Sequence, residues 1–174
     1  KGSVYPTLPS ILDDETLTEL TTFESGETLF LGQHGRKRRQ YLTALYLKVI
    51  SSLGHSHVQP KNLPLQFRRG VLDRLNFDRD LSKIHKVDKA EKSRIVKAIR
   101  VYLGLSVPEK GDLENLKLWI INTVAHKEND DQMLISAAVQ YLKNNKFELP
   151  NEKELLELVN KAINEASSIF ISTI

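Results

Sequence analysis

Arg36-Lys37-Arg38-Arg39-Gln40-Tyr41-Leu42-Thr43-Ala44-Leu45-Tyr46-Leu47-Lys48-Val49-Ile50-Ser51-Ser52-Leu53-Gly54 is the stretch that decides the fold class. Leu42, Leu45, Tyr46, Val49, Ile50 and Leu53 stand at i, i+3, i+4, i+7, i+8 and i+11, which places them on one face of an α-helix. Gly54 supplies the residue past the helix end that tolerates a left-handed backbone. The first turn is a run of four cations. Positive charge is at the unfavourable end of the helix macrodipole there, at roughly a few tenths of a kcal/mol per exposed residue. Such a run in such a place calls for an anion outside the chain, and a phosphate backbone is the commonest polyanion.

Working outward, the punctuation is that of an all-α protein. Asp13 or Asp14 caps a helix carrying Leu17 and Leu20, and Ser25 caps a short one carrying Leu29 and Phe30. A loop from His55 to Pro60 leads to Pro64, suited to the first position of a helix through Phe67, Val71, Leu72 and Leu75 that stops at Asn76. Residues 76–87 are polar, basic and weakly periodic, and read as a linker. Asp88-Lys89-Ala90-Glu91 has the spacing of a capping box. It opens a helix with Ile95, Val96, Ile99, Tyr102 and Leu103 inward and Gly104 as its stop. Asp112 caps a helix through Leu116, Trp119, Ile120 and Val124, and Asp130 or Asp131 starts another through Leu134, Ala138 and Leu142. Asn151 opens the longest helix, with Leu155, Val159, Ala162, Ala166, Ile169 and Phe170 inward. Phe147-Glu148-Leu149 is the sole extended candidate, held before Pro150. The expected fold is therefore all-α: two small subdomains of helix-turn-helix-like type, residues 1–80 and 86–150, followed by a long helix over 151–174.

Composition narrows the function classes. The chain has 174 residues, 40% hydrophobic and 27% charged, enough for a real core. Its net charge of +3 conceals a strong asymmetry: residues 31–100 hold 17 Lys/Arg against 5 Asp/Glu, while both flanks are acidic. There is no Cys, hence no disulfide, thiolate metal site or Cys nucleophile. No apolar run reaches the ~20 residues of a membrane helix, and no secretory leader opens the chain, so a cytoplasmic location is expected. Residue 1 is Lys, and the apolar Ile169-Phe170-Ile171 stretch stays in helical register to the end; the chain reads as a piece of something longer.

The candidate site residues are all cationic or small and polar. Arg36, Lys37, Arg38 and Arg39, then Arg68, Arg69 and Arg74, form an expected phosphate-gripping strip that continues through Lys83, Lys86 and Lys89. Arg94, Lys97 and Arg100, with Ser93 nearby, share the outer side of the capped helix, the arrangement of a helix that can lie in a major groove. Val101 on that side is unusual for a purely solvated face. His55-Ser56-His57 has a chelating spacing but no carboxylate near it in sequence, so a surface loop is expected and no metal. Asp13-Asp14-Glu15 and Asp130-Asp131 are explained by capping. No HExxH, GxSxG, P-loop or GxGxxG occurs, so no catalytic residue is assigned. Exposed aromatics among the cations are lacking, which argues against single-strand binding.

Taken in order, several segments resemble the N-terminal region of bacterial replicative transposases of the Tn-three family. They are Tyr5-Pro-Thr-Leu-Pro9, Leu47-Lys-Val-Ile-Ser-Ser-Leu-Gly-His55 with Asn62-Leu-Pro64, and Lys92-Ser-Arg-Ile-Val-Lys-Ala-Ile-Arg-Val-Tyr-Leu-Gly104. Leu118-Trp-Ile and Leu142-Lys followed by Leu149-Pro150 complete the succession. His55 stands where the family usually has an aromatic, and Ser93 where it usually has His. The resemblance implies helical modules that bind double-stranded DNA at the transposon's terminal inverted repeats. It also implies that the Mg-dependent acidic catalytic centre lies downstream, outside this chain, so that this segment needs no cofactor and is not itself an enzyme. A dimer of the full-length protein is compatible with it, and no membrane is involved. The alternative is a non-enzymatic protein-interaction domain that docks through its last helix, its basic face merely solvated.

Overall fold

The computed structural model describes residues 5–124 and 130–173, with the side chains of Val124 and of 169–173 outside that description. Expected inward positions at Val124, Ile169 and Phe170 therefore lie outside the described side chains. The protein is all-α. Its helices are α1 (Asp14–Thr21), α2 (Ser25–Gly32), α3 (Lys37–Leu53), α4 (Leu65–Leu75), α5 (Lys89–Leu103), α6 (Lys110–Trp119), α7 (Asp131–Asn144) and α8 (Glu152–Thr173). Short 3-10 turns occupy Pro60–Asn62 and Arg79–Lys83. The described residues contain no strand, only an isolated parallel bridge between Ser106 and Phe147. Two compact units result: Thr7–Gly104, and Tyr5 and Pro6 together with the chain from Leu105 on.

α3 is the centre of the Thr7–Gly104 unit. The apolar pattern predicts one buried face, but Tyr41, Leu42, Thr43, Ala44, Leu45, Tyr46 and Leu47 are all buried, so the middle of α3 is enclosed all round. A helix hydrophobic on every side belongs in the middle of its domain, and α3 packs against α1, α2, α4 and α5. Thr43 is tolerated there because its hydroxyl donates to the Arg39 carbonyl at 2.7 Å. The Tyr41 hydroxyl is buried without a hydrogen-bond partner. Burial pushes its pKa up to about 12, against the opposing pull of the Arg68 charge. Gly54 closes α3 with φ 82°, as the sequence predicts.

Local signals fix the other ends with small displacements. Asp13 caps α1, its carboxylate accepting from Thr16 N–H at 2.7 Å. Glu24 rather than Ser25 caps α2, and Glu27 closes the box by accepting from Glu24 N–H at 2.9 Å. Pro64 sits at the cap of α4 rather than inside it, and Asn76 ends that helix with φ 59°. Gly70 neither stops nor turns the chain. It sits in mid-α4, where an added Cβ would lie 2.8 Å from Thr21 Cγ2 and 3.4 Å from Leu17 Cδ1. Its lack of a side chain lets α1 and α4 approach closely.

The stretch 76–87 is not a linker, and compactness does not divide the chain there. The Arg79–Lys83 turn packs against α4, and Ser82 and Val87 are buried. Val87 N–H donates to Gln59 Oε1 at 3.0 Å and Lys61 N–H to the His85 carbonyl at 3.0 Å. These bonds hold the segment against the 55–62 loop, and α5 then packs along α3 within the same unit. The boundary falls instead after Gly104.

The second unit has its own core of Tyr5, Leu116, Ile120, Ile121, Leu134, Ile135, Ala138, Leu142, Leu149, Leu155, Val159, Ala162 and Ala166. Glu109, not Asp112, caps α6, with Asp112 accepting from Glu109 N–H at 2.9 Å as the third-position partner. The helix expected to run on to Val124 instead widens into a π-type turn over Ile120–Val124. Asp130 and Asn151 cap α7 and α8 as expected. The apolar face of α8 packs into this core through Ala166. The extended Phe147–Leu149 segment is held by Ser106, which donates to the Lys146 carbonyl and accepts from Glu148 N–H. Tyr5 donates to the Pro150 carbonyl at 2.6 Å.

Candidate nucleic-acid interface

The four-cation run sits where the pattern puts it, with Arg36 as the cap residue of α3 and Lys37, Arg38 and Arg39 in its first turn. No side chain caps the first turn and no acid stands in it. The exposed N–H groups of a helix start and a cluster of cations thus face the same way, an arrangement that favours anions. Gln33, His34, Gly35, Arg36, Arg38, Arg39 and Glu91 line an open recess of about 570 Å³ at this end. Gly35 adopts φ 74° to turn the chain into α3, and Gln40 Nε2 fastens that turn by donating to the Gly35 carbonyl at 2.7 Å.

Glu91 is the residue that sequence reasoning assigned too little. Asp88 accepts from Glu91 N–H at 2.8 Å, so half of the capping box is made. The Glu91 carboxylate goes elsewhere: it accepts from Arg38 Nη1 at 2.9 and 2.7 Å and from Arg39 Nε at 3.3 Å. One carboxylate thus stands against two of the four cations, across 53 and 52 residues of sequence. Only tertiary pairing of α3 with α5 reveals it. Arg36 is exposed, and Lys37 Nζ lies 5.5 Å from the Phe77 ring centroid. His34 stacks edge-on against Phe30 at 4.5 Å. Burial, with the Arg39 charge adding to it, holds the His34 pKa below the ordinary imidazole range, which favours the neutral form beside the arginines.

The expected strip through α4 breaks at Arg68. This side chain is only 8% exposed, and it donates from Nε to the Leu63 carbonyl at 3.2 Å and from Nη1 to the Ser82 carbonyl at 2.6 Å. It ties the start of α4 to the Arg79–Lys83 turn and is not offered to a phosphate. Arg69 is exposed on the same helix. Arg74 is exposed and lines a cleft with Phe23, Leu31, Gln40 and Phe77, so Gln40 of α3 links its surroundings to the α3 start. Of the block's acids, Asp73 is taken by Arg79 in a two-pronged pair at 3.0 and 2.7 Å. Asp80 lies 3.3 Å from Lys83, and Asp78 and Asp88 serve as caps. Lys48 is also spent internally, donating to the Thr22 carbonyl at 2.6 Å and pairing with Glu27 at 3.2 Å.

On α5, Ser93, Arg94 and Lys97 are exposed and Arg100 is half-buried. Tyr102, expected inward, is 40% exposed and stacks on Phe30 of α2 at 4.4 Å. The 55–57 loop is not the surface loop expected. His55 and Ser56 are buried, and the His55 ring stacks on His57 with its Nδ1 accepting from His57 N–H at 3.1 Å. Buried in this way, His55 and Ser56 are not presented to an external phosphate. Among the described residues no group of three His, Asp or Glu is placed to hold a metal ion, and no helix is long and apolar enough to cross a membrane.

What the geometry defines is an all-α protein whose Thr7–Gly104 unit holds 17 of the chain's 25 Lys and Arg. A family model described as Domain of unknown function (DUF4158) matches residues 2–162, and the chain belongs to that family. The comparison with curated proteins finds no match.

Proposed function

We propose that the chain is a double-stranded DNA-binding module, the non-catalytic N-terminal part of a Tn-three-type transposase that recognises the terminal inverted repeats. The observation that carries this reading is the pairing of two cation-bearing surfaces on one compact unit: the α3 start with its recess, and the outer face of α5. Arg36, Lys37, Arg38 and Arg39, with Arg69 and Arg74, grip phosphates and set position; Ser93, Arg94, Lys97 and Arg100 face base edges. The helix-turn-helix-like role falls to α5 as the groove-facing helix, with α3 its supporting partner. Cleavage belongs to a downstream Mg-dependent domain, so this chain binds and does not cut.

Charge supports the assignment. All 17 Lys/Arg of residues 31–100 fall inside the Thr7–Gly104 unit. A protein that neutralises several phosphates releases as many counterions, so its affinity falls steeply with salt. The test is a gel shift on a duplex of the element's terminal repeat and on a shuffled duplex, at about 50 and 200 mM salt. Tighter binding to the repeat with a steep salt slope is expected. Absence of any duplex binding at low salt sinks the reading.

A further inference from the structure

The outer stripe of α5 carries an aliphatic group that phosphate binding does not use. At 100° per residue, Ala90, Arg94, Lys97 and Val101 fall within about 60° of one another, opposite the buried Ile95 and Ile99. Ala90, Arg94 and Lys97 are exposed, and Val101 is 78% exposed. From Ala90 to Val101 the stripe runs ~16 Å along the helix axis, the length of about five base-pair steps. Burial does not explain Val101, and propensity does not either, because a β-branched residue is a below-average helix former.

A partner that satisfies the whole stripe must offer anionic or acceptor groups to Arg94 and Lys97 and an apolar group to Val101 within about two helix turns. The major groove of duplex DNA does this: it presents purine N7 and O6 acceptors beside the C5-methyl group of thymine. The minor groove has acceptors but no methyl group, and a phosphate row has neither base acceptors nor apolar surface. We propose that Val101 is a specificity-determining residue that packs on a thymine C5-methyl group. Arg94 and Lys97 hold the same stripe of α5 in the groove. This assignment rests on the duplex-binding reading above.

The experiment starts by selecting preferred duplexes with the 174-residue chain from a library with a randomised core. The preferred duplex is remade with each thymine in turn replaced by deoxyuridine, which removes only the methyl group. Affinities are measured for the wild type and for Val101→Ala, an exposed-site change whose folding is checked by circular dichroism melting. At one or two positions deoxyuridine weakens wild-type binding about fourfold, the value of one buried methyl group. The same replacement leaves Val101→Ala binding unchanged, while Val101→Ile keeps the dependence. If no duplex is selected or bound at low salt, the duplex-binding reading falls and this assignment with it. If duplexes bind but deoxyuridine has no effect, or the same effect in wild type and Val101→Ala, the reading stands and the assignment to Val101 is overturned.

Discussion

Both carboxylate oxygens of Glu91 accept from one guanidinium nitrogen of Arg38, at 2.9 and 2.7 Å, while the capping box that Glu91 would close on its own helix is left half-made. The pair joins the start of α3 to the start of α5. It also sets an internal counter-charge beside the recess that an external phosphate would enter. Arg38 is nearly half exposed, so the pair contributes little to stability, about 1 kcal/mol or less. Its effect on anion binding is larger in proportion, because two of the four cations face it.

Glu91→Gln is therefore expected to raise duplex affinity at low salt and to steepen its salt dependence. Freeing one or two guanidinium groups for phosphate adds about 0.9 to 1.8 to the magnitude of the slope of log K against log salt. Fluorescence anisotropy over a salt series measures it. An unchanged slope means that Arg38 and Arg39 do not meet the DNA backbone.

Arg68→Ala tests the correction to the expected strip. Loss of the side chain leaves the Leu63 and Ser82 carbonyls without their charged donor and opens a gap beneath α4. A loss of about 2–3 kcal/mol in urea unfolding is expected. The salt slope of duplex binding by the folded variant stays at its wild-type value, which a phosphate contact would not allow.

Gly70→Ala sets two effects against each other. Ala in mid-helix gains about 1 kcal/mol over Gly. The new methyl group would meet Thr21 Cγ2 at 2.8 Å, and Thr21 is buried with its hydroxyl donating to the Leu17 carbonyl at 2.7 Å. It cannot swing away, so overpacking of about 1–3 kcal/mol prevails and the variant melts lower. Adding Thr21→Ser, which deletes the opposing methyl group, restores part of the loss. A double-mutant cycle reads the coupling.

Asp73 and Arg79 give a pH signature. The hydrogen bond from Arg79 comes first, and its charge adds, in holding the Asp73 carboxyl below the ordinary aspartate range. A depressed folded-state pKa stabilises the fold above the unfolded value and ceases to do so as pH falls through the folded one. The stability difference between wild type and Asp73→Asn is thus full above about pH 4 and shrinks toward zero at lower pH. Chemical denaturation at a series of pH values follows it. A difference that grows on acidification would contradict the pairing.

Much of the fold was legible because helix ends are local. Asp13, Gly54, Asn76, Asp88, Gly104, Asp130 and Asn151 each announce a boundary through a side chain or backbone freedom acting within a few residues. The shifted starts of α2 and α6 have one cause: a Glu three residues ahead of another acid makes a reciprocal box as well as Ser or Asp does, and the first acid takes the cap. What the pattern missed is tertiary. The burial of α3 on every side depends on four neighbours, and the fixing of 76–87 on Gln59 and Lys61 reaching across from another loop. For the candidate site, the cations themselves were visible. The withdrawal of Arg68 into the interior and the claim of Glu91 on Arg38 and Arg39 were not, since residue type alone does not say which acceptor lies within reach.

The fastening of 76–87 to the 55–62 loop also governs how the protein can be taken apart. A polar, basic stretch invites proteases and designers of truncations alike, yet a break at 80–86 would strip α5 from α3 and lay bare the apolar side of α3 that α5 covers. Severed there, the N-terminal piece would present a surface meant for the interior and would aggregate. The seam for dissection is after Gly104, where a left-handed glycine ends α5 and the core of the first unit is already complete.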